Sequence, residues 1–136
     1  MIPKALTVAI VAAAAGCTPE PGPVTMDVAT GMTLYAENCA VCHGTDARGA
    51  GAASLGLGEV PPSLVGLSRQ NRGRFPRAYV IEIVQGKVGP DHPTAAMPEF
   101  GTGELGTLVR VESDGKEIVV PAGLVALANY LESIQE

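Results

Sequence analysis

Tryptophan is absent from this 136-residue chain, and three tyrosines and two phenylalanines bring aromatics to only 4%. A core built from protein alone is therefore short of large side chains, and 17 glycines with 11 prolines mark a loop-rich chain rather than a simple helical bundle. Basic residues are scarce as well: nine Lys and Arg stand against fourteen Asp and Glu, a net charge of -5, which excludes a general nucleic-acid binder. No apolar run reaches the roughly 20 residues that span a bilayer, since the longest, Ala5 to Ala15, has eleven. Cysteine and histidine are few enough to count singly: Cys17, Cys39 and Cys42, with His43 and His92. What remains is enough for one compact domain.

The first sixteen residues have the layout of an export signal, with a short segment bearing Lys4, the apolar run, and small residues before Cys17. The stretch Ala14-Ala15-Gly16-Cys17 resembles the bacterial lipoprotein signal, in which the cysteine becomes the lipid-bearing first residue. It departs from that pattern at Ala14, where leucine is usual. An ordinary signal cut nearby is the alternative, and both readings export the protein. Lys4 is the only charged residue ahead of Cys17, so a chain beginning there has eight basic and fourteen acidic residues, or -6. Residues 17–28, with Pro19, Pro21 and Pro23, read as a stiff tether whose eleven residues from Thr18 to Val28 extend roughly 34 Å at about 3.1 Å each. The folded domain is placed at 29–136.

Within it the pattern predicts an all-α unit with one hairpin. Thr30 is placed to cap a helix that runs to the cysteines and stops at Gly44. A glycine-rich loop, Gly44 to Gly58, leads to the turn Pro61-Pro62-Ser63-Leu64. Pro76 suits the start of a helix from Arg77 to Gln85 with Gly86 as its stop, and Pro121 that of a last helix from Ala122 to Ile134. Leu124, Leu127, Tyr130, Leu131 and Ile134 share one face of that last helix. Between these two helices, Leu108 to Glu112 and Lys116 to Val120 flank Ser113-Asp114-Gly115 as a β-hairpin.

The chemistry lies in Cys39-Ala40-Val41-Cys42-His43. Thiols three positions apart sit about one helical turn from each other, so both reach the vinyl groups of one porphyrin and His43 falls beneath its iron. A zinc half-site, a thioredoxin-like pair and a plain disulfide are the rivals. Zinc needs further ligands, and the only other histidine is His92, with no cysteine near it. A thioredoxin-like site follows a strand, and none precedes Cys39. For the opposite face of the iron, Met97 in the loop Ala95-Ala96-Met97-Pro98-Glu99-Phe100 is favoured, with His92 as the alternative.

With these residues in view, the chain resembles the class I cytochromes c of the bacterial periplasmic or membrane-tethered kind. Gly31, Tyr35 and Cys39 stand in that family's Gly-x-x-x-aromatic-x-x-x-Cys spacing, Pro62-Ser63-Leu64 is similar to its Pro-x-Leu, and Met97-Pro98 matches its distal loop. The resemblance implies a class I cytochrome c fold, a few helices around one covalent haem c, with the hairpin inserted before the last helix. It implies that Gly31 lets the terminal helices cross, against Leu127 and Tyr130. It further implies that a proline carbonyl, from Pro61 or Pro62, accepts a hydrogen bond from His43.

A haem closed by His43 and Met97 passes one electron and binds no substrate, so the expected function is electron carriage between exported or membrane-bound redox protein partners, without nucleic acid. Two other classes stay open: a haem subunit or docking module of a larger redox complex, and a haem sensor or enzyme if Met97 is not a ligand. Arg69, Arg72, Arg74 and Arg77 form a basic run read as a solvated face, as partners for haem propionates or as a docking patch. The hairpin of residues 108–120 is read as a surface embellishment or a docking element.

Overall fold

The computed structural model describes residues 24–58, 60–87, 97–100, 105–113 and 115–136. Among them are five α-helices, α1 (Val28–Asn38), α2 (Ala40–His43), α3 (Leu67–Gln70), α4 (Arg77–Val84) and α5 (Ala122–Ser133). A short 3-10 turn occupies Ala52–Gly56, and the strands β1 (Leu108–Ser113) and β2 (Lys116–Pro121) precede α5. The protein is thus mostly helical with a small antiparallel hairpin before the last helix, as the sequence predicts. The 3-10 turn and α3 are additions to that reading.

Asp27, not Thr30, caps α1. Its backbone is extended, with φ -80° and ψ 164°, and its carboxylate accepts the Thr30 N–H at 2.7 Å. The Thr25 hydroxyl also donates to that carboxylate. Bonds first from Thr25 and then from Thr30 hold the Asp27 carboxyl below its ordinary value. Asp and Thr are both capping residues, and the aspartate prevails because two donors converge on it. Residues 24–28 therefore join the folded unit, as the 2.7 Å bond from Asn129 Nδ2 to the Met26 carbonyl also shows.

α1 and α5 share the most extensive helix–helix contact, and Gly31 sets its closeness. A Cβ there would stand 2.0 Å from the Ala126 carbonyl oxygen and 2.8 Å from the Tyr130 Cβ. Tyr130 meets the expectation, whereas the backbone of Ala126 takes the place given to Leu127, which is buried in the core instead. α5 is buried all round from Ala122 to Ala128, beyond the single face its periodicity suggests. The small side chains of Ala122, Gly123, Ala126 and Ala128 let neighbours close on every side.

The core joins Tyr35 of α1, Val80, Ile81 and Val84 of α4, Val120 of β2, and Leu124, Leu127 and Leu131 of α5. In the hairpin Ser113 pairs with Lys116, and Gly115 between the strands has φ 75°. Val109 opposite Val120 and Val111 opposite Ile118 pack inward, while the exposed Arg110 and Glu117 pair at 2.9 Å. The chain end is clasped: Gln135 accepts the Ser68 N–H and donates to the Leu64 carbonyl, and the Glu136 N–H donates to the Val65 carbonyl at 2.9 Å.

Candidate functional site

Cys39 is the joint between α1 and α2. Its own N–H ends α1 on the Tyr35 carbonyl at 2.9 Å, and its carbonyl accepts the N–H groups of both Cys42 and His43. Both thiols are half-buried, and no disulfide joins them. Burial, and then the neighbouring Cys42, push the Cys39 thiol up to about 11.

Gly44, at φ 80°, stops α2. The chain then folds back on the segment it has left. Gly49 N–H donates to the His43 carbonyl at 2.8 Å, and Gly51 N–H to the Cys42 carbonyl at 2.9 Å. Gly51 has no room for a side chain, since a Cβ would stand 2.5 Å from the Val41 carbonyl oxygen. The Tyr35 hydroxyl reaches across to donate to the Gly44 carbonyl at 2.6 Å. Ala47 and Ala50 adopt left-handed backbone, φ 58° and 59°, which the tight return requires.

The same loop carries the Pro61-Pro62 segment. Leu64 N–H donates to the Ala47 carbonyl at 2.8 Å, and the Pro62 carbonyl oxygen lies 3.3 Å from His43 Nδ1. Of the two prolines it is Pro62 that faces the imidazole, while the Pro61 carbonyl turns toward Gly49. A carbonyl only accepts, so this contact requires the proton on Nδ1 and leaves the Nε2 lone pair for a metal. Burial lowers the His43 pKa, partly offset by the bond to Pro62, so the neutral, ligating form is favoured.

The donor set fits a haem c: two unpaired thiols one turn apart, followed by an imidazole whose tautomer leaves Nε2 as a donor. Met97 is half-buried and packs against the core. Its loop is fastened to the end of α4 by the Phe100 N–H, which donates to the Val84 carbonyl at 3.0 Å. His92 and Cys17 lie outside the described residues. Of the four arginines, Arg69, Arg72 and Arg74 are exposed. Arg77 is turned inward, donating to Asn129 at 2.7 Å and pairing with Glu132, which ties α4 to α5.

A family of known proteins agrees with this geometry. Residues 26–107 match the model of the family described as cytochrome c oxidase, cbb3-type, subunit III. The chain belongs to this family of c-type cytochromes. It is a class I monohaem c-type cytochrome, an electron-transfer haem protein that works with redox protein partners. No curated protein and no solved structure gives a significant match. The matched span ends before the hairpin and α5, so those elements lie beyond what the cytochrome shares with the family model.

Sequence reasoning missed the part played by Gly49, Gly51 and the Tyr35 hydroxyl. The glycine-rich composition of the loop was legible, but which carbonyl each N–H would meet depends on how the loop returns. No helix among the described residues is long and apolar enough to cross a membrane.

Proposed function

We propose that this cytochrome is a one-electron carrier holding a single haem c, with thioethers from Cys39 and Cys42, His43 as proximal ligand and Met97 as distal ligand. The observation that carries the reading is the 3.3 Å contact of His43 Nδ1 with the Pro62 carbonyl, His43 ending the short helix that holds Cys42 and is capped by Cys39. When bound, the haem supplies reversible one-electron chemistry. The chain's contribution is to hold the imidazole in one tautomer, to bury the macrocycle in place of missing aromatics, and to present a thioether sulfur that raises the potential. With His43 and Met97 both holding the iron, the site would leave no place for a substrate.

Haem should stay with the polypeptide through denaturation and acid extraction of protein matured with cytochrome c assembly machinery. Extraction of free haem would remove the covalent reading. Met97→Ala should lower the reduction potential and let carbon monoxide bind the reduced form, while His92→Ala does neither. The reverse pattern assigns His92, and silence of both points to an open site and a sensing or catalytic role.

The family match favours a second reading, in which the cytochrome is a haem subunit of a larger membrane redox complex. Its mass under native conditions in a mild detergent extract separates the two, with a single chain's worth of protein, apart from any lipid and detergent, expected for the carrier. On either reading an exported, periplasmic-side location with Cys17 as lipid anchor suits a protein that serves membrane-bound partners.

A further inference from the structure

Gly49 is buried in the loop that follows α2, its N–H held by the His43 carbonyl at 2.8 Å. Its backbone is left-handed, φ 89°, and a Cβ built on it would stand 2.4 Å from the Pro61 carbonyl oxygen. The loop thus grips the chain on both sides of Pro62: Gly49 lies against Pro61, and the Ala47 carbonyl holds the Leu64 N–H. Resting on the reading of His43 as the iron ligand, we infer that Gly49 is a positioning residue for it. Its bare Cα lets the Pro61-Pro62 segment approach close enough for the Pro62 carbonyl to meet Nδ1.

The distances make the case. Real Cβ atoms essentially never come within 3.0 Å of another heavy atom, so any side chain at Gly49 must drive Gly49 and the Pro61 carbonyl apart from 2.4 to at least 3.0 Å, a relative displacement of 0.6 Å. That carbonyl belongs to the peptide that leads into Pro62 and is not a flexible side chain. The His43–Pro62 contact is already 3.3 Å, at the long end for N–H···O, so a shift of this size in the peptide that leads into Pro62 is enough to disturb it. An acceptor on Nδ1–H raises the basicity of the ligating nitrogen and so favours ferric iron. Its loss should raise the reduction potential.

The test compares Gly49→Ala and Gly49→Asn with Gly58→Ala, all as haem-loaded protein. Gly58 is also left-handed, φ 70°, with nothing within 4 Å of a built Cβ, so it reproduces the backbone strain without the contact. Asparagine tolerates left-handed backbone yet keeps a Cβ. In the reduced protein, the His43 Nδ1–H should exchange with solvent about tenfold faster in both Gly49 variants, with a higher potential, and neither quantity should move in Gly58→Ala. A second measurement needs only the wild-type protein: the Nδ1–H and the Gly49 N–H should exchange through one common opening. Equal behaviour of the Gly49 and Gly58 variants, or separate openings in the wild type, would overturn the inference. If His43→Ala keeps the wild-type haem spectrum, the ligand reading itself falls. A His43-dependent spectrum with silent Gly49 variants removes only the positioning role.

Discussion

The Tyr35 hydroxyl, 2.6 Å from the Gly44 carbonyl, connects α1 to the residue that follows His43. Its ring is buried and lies 5.3 Å from that of Tyr130, tilted by 47°, so packing and hydrogen bond act together. Burial raises the phenol's pKa well above its ordinary value and keeps it a donor. The Gly44 carbonyl also accepts the Ala47 N–H at 3.1 Å, so removing the hydroxyl does not orphan it. Tyr35→Phe should therefore cost only about 1 kcal/mol, seen as a lower denaturant midpoint at unchanged slope, with the haem spectrum kept. At this scale the cysteine and histidine spacing was legible because covalent chain geometry sets it. The choice between Pro61 and Pro62 was not, because it turns on where a loop returns nineteen positions along the chain.

Among the elements, the crossing of α1 and α5 depends on the missing side chain of Gly31. The Ala126 carbonyl against it is helix backbone and has no room to swing away, so Gly31→Ala should destabilise the protein by about 3 kcal/mol, measured by denaturant unfolding of the haem protein. A loss below about 1 kcal/mol would mean that the helices separate easily and that their closeness is incidental. The periodicity of α5 was readable, and so were its start after Pro121 and the existence of the hairpin before it. Its burial on the remaining faces was not, because small residues look neutral in sequence and only neighbouring elements close on them. The cap on α1 was misplaced for a similar reason: Thr30 is a sound local candidate, and the convergence of two donors on Asp27 is a property of the folded turn.

For the whole molecule, both ends of the folded unit are tied in. Asn129 holds Met26 and Arg77 holds Asn129 and Glu132, while Gln135 spans Leu64 and Ser68 and Glu136 pairs with Arg48. With residues 24–28 in the folded unit, a chain anchored at Cys17 would have Thr18 through Pro23 as its tether, and six residues at about 3.1 Å would reach roughly 19 Å, less than the span expected from sequence. A haem domain anchored on so short a tether would suit neighbouring membrane partners rather than distant ones. Cys17→Ser should abolish the lipid mass increment and block lipoprotein-type processing, while the chain from Thr18 onward behind a soluble-protein signal should retain the haem spectrum. Recovery of wild-type protein in the soluble fraction without that increment would replace the anchored carrier by a diffusing one.

The amino-acid sequence by itself determined the chemistry: a c-type attachment motif, a mostly helical unit with one hairpin, and the ends of α2, α4 and α5 to within a residue or so, all set by spacings of a few residues, while the break at Cys39 and the short α3 were not legible. Tertiary structure alone decided which proline faces His43, which residue caps α1, that Arg77 serves α5 rather than an open basic face, and how little room Gly31, Gly49 and Gly51 leave. Local spacing fixes what lies within a helical turn. Contacts between distant segments depend on how the backbone closes on itself, and here three glycines without side chains set how closely it does so.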